Sequence, residues 1–205
     1  MKTVSKRIRR TPADARDAIL TVARERLHAH GLDGLKIADV AQQAGMSHAT
    51  LIHHFGSSDG MRRALVERMA NELLTEFLTV LESHPPSPER RGEMLGKLFD
   101  TLANDRHAQL FAWLALEGGR ESDAPFDAAT QALLETFLDR IVGQADLPAP
   151  DRRNARFGVT LAVTSAIGLG IALPWLARMD LVRSDADRRR FAAWLADLLG
   201  PARPA

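Results

Sequence analysis

Apolar residues along this chain recur with a spacing near 3.6, and no stretch alternates with a period of two. Ile19, Ala23 and Leu27 repeat every four residues. They are preceded by "TPADA", in which Thr11 can cap, Pro12 can occupy the first helical position and Asp14 the third, and they are followed by Gly31 as a stop. "KIADVAQQAG" and "SHATLIHHF" each read as one short helix. Leu65, Met69, Leu73, Phe77 and Leu81 again repeat every four residues, predicting a long helix over about 59–82. "SHPPSPE" ends it, and Ser87-Pro88 opens the next. Further helices are predicted near 88–103, 106–118, 126–143, 151–178 and 184–199, separated by Asn104-Asp105, Gly118-Gly119, "DLPAPD" and "RMDLVRSD". The pattern predicts an all-α protein of about nine helices. A three-helix head (residues 1–56) is joined by the long helix to a helical second domain (residues 57–205).

Composition agrees and narrows the function classes. Of 205 residues, 45% are hydrophobic and 26% charged, enough for a packed core, and tyrosine is absent. The lack of cysteine excludes disulfides and thiolate metal sites. The basic start "MKTVSKRIRR" lacks an apolar run after it and so does not read as a secretory signal. The net charge of +1 hides an asymmetry. Residues 1–55 carry nine Lys/Arg against five Asp/Glu, a charge of +4, and the remainder carries eighteen against twenty-one. A basic N-terminal part points to nucleic acid or an anionic membrane. From Phe157 to Ala177 no residue is charged, a length that could span a bilayer. Its Gly, Thr, Ser and Pro content fits a buried or interfacial helix better, so no membrane association is expected.

"AGMSHATLIHHF" (44–55) carries the candidate chemistry. Gly45 can end one helix in the left-handed conformation, and Ser47 can cap the next. Small Ala41 permits a close crossing. Val40, Ala44, Leu51 and Phe55 can face inward, which leaves His48, Ala49, Thr50, His53 and His54 outside. This is the pattern of a helix-turn-helix whose second helix enters the DNA major groove. A plain helical hairpin fits the same spacing. A metal site fits worse, because adjacent His53 and His54 project about 100° apart and no Asp, Glu or Cys sits beside them. No phosphate loop or Gly-x-Ser-x-Gly elbow occurs, so no enzyme and no cofactor are expected.

"AILTVARERLHAHGLDGL", "IADVAQQAGMSHATLIHHF" and "GSSDGMRRAL" resemble the DNA-binding domain of the TetR family of bacterial transcriptional regulators, over about Thr11 to Leu65. The resemblance implies a cytoplasmic homodimer on a palindromic double-stranded operator, released when a small molecule enters the second domain, and most often a repressor. Thr50 and His54 match the family pattern, and His48 and His53 occupy its variable reading positions. Ala49 could touch a thymine methyl. Three positions depart from the family. Lys36 stands where a Thr or Ser usually caps the second helix, Ile52 where Tyr is usual, and Ser58 where Lys is usual. Lys36 itself, Arg62 or Arg63 and the arm residues Lys2, Lys6, Arg7, Arg9 and Arg10 are the candidates to hold phosphates in their place. Ser47, as the cap of the reading helix, completes the expected DNA-binding set.

In the second domain, Phe99, Leu102, His107, Phe111, Trp113, Phe137, Thr164 and Trp175 are the candidate lining of a largely apolar effector pocket. A dimer interface is expected on the last two helices. One element of it is the small row Gly158, Ala162, Ala166 and Gly170, which packing inside its own subunit would equally explain, and the other is the arc Phe191, Trp194, Leu195 and Leu198. The alternative is a helical DNA-binding dimer without an effector.

Overall fold

The computed structural model describes residues 11–83, 87–116, 126–143 and 149–199. Nine α-helices and a short 3-10 turn account for most of them, with no strand among the described residues. The chain divides into two compact units, Met1–Leu65 and Val66–Ala205.

The first unit contains α1 (Pro12–His30), the 3-10 turn (Gly31–Leu35), α2 (Ile37–Ala44), α3 (His48–Phe55) and the start of α4 (Ser58–Ser83). At the start of α1, the Thr11 hydroxyl accepts from the Asp14 N–H and the Thr11 N–H donates to the Asp14 carboxylate, both at 3.1 Å. These bonds satisfy amides that a helix start otherwise leaves unpaired. Ile19, Ala23 and Leu27 are fully buried beside Leu35, Val40, Leu51, Met61 and Leu65. Phe55 is also buried, whereas Ala44, expected inside, is only half-buried at the end of α2. The unit extends past residue 56 because Met61, Ala64 and Leu65 bury their side chains in it.

The second unit holds the rest of α4, α5 (Pro88–Leu102), α6 (Asp105–Leu116), α7 (Ala128–Gly143), α8 (Ala149–Arg178) and α9 (Asp185–Leu198). Serine caps two of its helices. The Ser87 hydroxyl accepts from Arg90 N–H, and the Ser184 hydroxyl accepts from Asp187 N–H, each at 3.2 Å. The Asp187 carboxyl lies below its ordinary range because the Arg183 N–H and the Ser184 hydroxyl both donate to it. The core gathers Leu73, Phe77 and Leu81 of α4, Leu98, Phe99 and Leu102 of α5, Phe137 of α7, Ala162, Ala166 and Leu169 of α8, and Ala192, Leu195 and Ala196 of α9. The Phe77 and Phe137 rings lie 5.6 Å apart, and Phe99 meets Phe191 edge-on at 5.7 Å.

The small row of α8 is used inside its own subunit. A Cβ on Gly170 would lie 2.6 Å from Ala108 Cβ and 2.9 Å from the Ala103 carbonyl oxygen. One on Gly158 would meet Leu199. Ala162 and Ala166 are buried. The row thus seats α8 against α5, α6 and the end of α9, and the expectation that it faces a second subunit is corrected. Leu195 is likewise buried and Phe191 half-buried in the same core. Trp194 and Leu198 remain outside, each 57% exposed.

The opposite side of α8 exposes Phe157, Leu161, Thr164, Gly168, Ile171 and Trp175, at spacings of four and three residues in alternation. That spacing is the seam of a helix that packs against another helix. Thr164 and Trp175, expected in a pocket, therefore lie on the outer surface, because they share the helical phase of Phe157 rather than that of Ala162. Arg156–Arg178 has the length and apolarity to cross a bilayer, yet its Ala162 side is packed into a protein core.

Candidate nucleic-acid interface

The turn between α2 and α3 is built from local backbone chemistry. Gly45 sits at φ 65°, ψ 33°, a left-handed conformation that is inexpensive only without a Cβ. The Met46 N–H returns to the Ala41 carbonyl at 3.0 Å, closing α2. One residue later the Ser47 hydroxyl accepts from the Thr50 N–H at 3.1 Å, opening α3, and lies 2.8 Å from the Thr50 hydroxyl. Two hydrogen-bonded ends so close in sequence set the direction in which α3 leaves α2.

Leu51 and Phe55 bury one side of α3. His48, Ala49 and His53 are exposed, Thr50 and His54 half-buried, and Ile52 is 38% exposed. Of the outward set read from the sequence, the fold exposes His48, Ala49 and His53, leaves Thr50 and His54 half-buried, and adds Ile52. The C-terminal end of α3 is pinned by Arg16 of α1. Its guanidinium donates to the His54 carbonyl at 2.9 Å and lies 4.5 Å over the Phe55 ring. The His53 and His54 rings stand edge to face at 5.6 Å. Gly60 of α4 lies so close to the Phe55 carbonyl oxygen that a Cβ there would overlap it.

Lys36 is exposed at the N-cap of α2 and makes no side-chain capping bond. The structure supplies another tie, which the sequence pattern did not single out. Arg26 of α1 donates to the Gly34 carbonyl at 2.7 Å, to the Asp39 carboxylate at 3.2 Å and to Gln43 Oε1 at 3.2 Å. Gln43 in turn donates to Glu25 at 3.2 Å. Asp39 also places negative charge in the first turn of α2, which favours the helix dipole. Five residues on three elements hold α2 without a capping hydroxyl. Their spacing of eight to eighteen positions gives no local motif.

Of the other phosphate candidates, Arg62 pairs with Asp59 at 3.2 Å, and Arg63 is half-buried. Arg7, Arg9 and Arg10, with Lys2 and Lys6, lie outside the described residues.

Residues 19–65 match the model of the bacterial regulatory proteins of the tetR family. Residues 19–65 thus carry a DNA-binding domain of the TetR type. A HTH-type transcriptional regulatory protein, RaaS, from Mycobacterium tuberculosis is 36% identical over 69 residues, covering 34% of this chain and 32% of that protein. The HTH-type transcriptional repressor KstR2 from Mycolicibacterium smegmatis is 27% identical over 114 residues, covering 56% of this chain and 55% of the other. The matched parts thus span less than two thirds of these relatives' own lengths. The fold is shared with the transcriptional regulator FadR from Bacillus subtilis, solved in complex with stearoyl-CoA. That likeness has a TM-score of 0.57 at 14% identity and covers 89% of this chain and 96% of FadR.

Several residues expected to line a pocket are core residues of the second unit. Phe99, Leu102, Trp113 and Phe137 are buried, and Phe111 is half-buried against the same cluster. His107 is buried with Nδ1 2.7 Å from the Thr101 carbonyl oxygen. A cleft of about 340 Å³ between α4 and α5 is lined by Thr79, Val80, Ser83, Ser87, Glu89, Arg90 and Glu93, none of them among the expected residues.

Proposed function

We propose that this chain is a homodimeric transcriptional regulator of the TetR family, a repressor, that binds a palindromic double-stranded operator in the cytoplasm through α3. The observation that carries the reading is the exposed set His48, Ala49 and His53, with Thr50 half-buried beside them, on a helix whose other side is locked by Leu51 and Phe55. Lys36 and His54 flank this surface and hold phosphates in the proposal, together with Arg7, Arg9 and Arg10 of the arm. Ser47 acts by holding the start of α3.

Dimerisation is assigned to the exposed seam of α8 (Phe157, Leu161, Ile171 and Trp175) with Trp194 and Leu198 of α9. Large apolar side chains more than 40% exposed on two helices are costly to leave in water. A two-fold pairing of the same helices would cover them. Two reading helices about 34–36 Å apart, or a multiple of it, would then enter successive major grooves. An effector that binds one head separation better than the other would shift operator affinity.

The proposed effector is a small, largely apolar molecule, taken up near Phe99, Leu102, Phe111, Trp113 and Phe137 with His107 as a polar partner. FadR's stearoyl-CoA complex supports that chemistry by likeness of fold.

Selection from random duplexes tests the DNA reading. A palindrome should be enriched, and Thr50→Ala and His53→Ala should weaken its binding with the melting temperature nearly unchanged. Enrichment of nothing sinks the reading. A thermal-shift series with acyl-CoAs and other apolar compounds tests the effector. A true ligand at a hundred times its Kd adds about 2.7 kcal/mol. No shift and no release of DNA would favour a DNA-binding dimer without an effector.

A further inference from the structure

The chemistry exposed on α3 bears on what the helix reads. From Val40 to Ser58 the chain holds no Asp or Glu, but it holds three histidines, all on α3. His48 and His53 are exposed. By helical rotation of 100° per residue, Ile52 and Ala49 fall between them around the exposed arc. The outward face is therefore imidazole, two apolar side chains, imidazole.

Charged groups on the neighbouring elements bear on these imidazoles too. On α1, Arg16 is held on the Phe55 ring and the His54 carbonyl. On α2, Asp39 is paired with Arg26, and Lys36 stands at the N-cap. On α4, Asp59 is paired with Arg62, and Arg63 follows. On α3 itself, His54 lies beside His53.

Protonation changes what an imidazole can recognise. The neutral ring donates from one nitrogen and accepts at the other, whereas imidazolium donates from both. In the major groove guanine offers two acceptors, N7 and O6, cytosine offers a donor, and thymine offers a methyl group. An imidazolium donates to guanine N7 or O6 through one ring N–H and keeps no acceptor for cytosine's amino group, while Ala49 and Ile52 suit thymine methyls.

We propose that His48 and His53 read guanine as imidazolium, with Ala49 and Ile52 on thymine methyls between them, so that specific DNA binding takes up protons. The proposal rests on the DNA-binding reading above. Full-length protein is used to select half-sites at pH 6 and at pH 8. Its affinity is then measured for the pH 6 site and for a scrambled duplex of equal length, at constant ionic strength. Half-sites rich in guanine and thymine are expected at pH 6, with the guanine preference relaxed at pH 8. Affinity for the selected site should fall about tenfold or more from pH 6 to 8, as expected for at least one proton per subunit, with the scrambled duplex changing far less. The double variant His48→Gln/His53→Gln keeps a donor and an acceptor without the charge change. It should melt as the parent does and bind without pH dependence. An equal fall on both duplexes would mean that the rings sense only phosphate charge, and that overturns the proposal. So does a pH dependence that survives in the double variant. A selected site bound equally at both pH values removes this proposal alone, whereas no enrichment at either pH removes the DNA-binding reading with it.

Discussion

The two units of this chain use apolar residues in different ways. In the first, the large apolar side chains of α1, α2 and the start of α4 are turned inward, and α3 shows the solvent mainly histidines, a threonine and an alanine, with Ile52 at 38% exposure. In the second, α8 and α9 fill the core on one side and still show Phe157, Trp175 and Trp194 at 57–61% exposure on the other. An apolar side chain left in water costs about 25 cal/mol for each Å² exposed, whereas an exposed imidazole costs little. The first unit's surface thus reads as one that meets a polar, charged partner. The second unit's surface is the one to which dimerisation is assigned above.

The largest expected effect breaks that second surface. Leu161→Glu with Trp175→Glu places two charges on the α8 seam without opening a cavity in the subunit. Sedimentation should show monomers, and operator affinity should fall about a hundredfold or more as the second half-site loses its linkage to the first. A variant that still sediments as a dimer would put the interface elsewhere.

Two glycines test whether the units stand or fall separately. Gly60→Ala forces a Cβ onto the Phe55 carbonyl of the first unit, and Gly170→Val forces one onto Ala108 and Ala103 of the second. Each should cost about 1–3 kcal/mol. Amide hydrogen exchange should show the loss confined to residues before about Leu65 in one variant and after Val66 in the other. Loss spread over the whole chain in both would mean that the units unfold as one.

Smaller effects concern the helix ends that aim α3. Ser47→Ala should cost about 1 kcal/mol through its cap. Lys36→Thr should gain a similar amount by providing the missing cap, yet weaken DNA binding. The slope of log affinity against log salt should fall by about 0.9 for each phosphate that the variant no longer neutralises. Stability gained with an unchanged slope would show that Lys36 touches no phosphate. The smallest effect is at Asp187, whose carboxyl the structure holds below its ordinary range. A lowered folded-state value means that its contribution is present above the unfolded value and is lost as pH falls through the folded one. An NMR titration should place its midpoint below 3.8, and Ser184→Ala should move it upward.

The helices themselves were legible because periodicity and capping are local. Thr11 with Asp14, Gly45 and Ser47 act within four residues of themselves, so their roles follow from spacing alone. His48, Ala49 and His53 on α3 followed for the same reason, since burying Leu51 and Phe55 fixes the phase of an eight-residue helix, whereas exposed Ile52 was not in the expected set. The Arg26 network and the pinning of His54 by Arg16 were not legible. Their partners lie eight to thirty-eight residues away, and nothing nearby marks them.

In α8 the division is sharpest. Its composition alone determined that a long apolar helix exists and that it carries a row of small residues as well as bulky ones. Both sides are apolar, so hydrophobicity did not choose which one turns inward. Tertiary packing chose. The corner formed by Ala103 and Ala108 leaves no room for a side chain at Gly170, so the small row goes inward and Phe157, Leu161, Ile171 and Trp175 are carried outward by the helical turn.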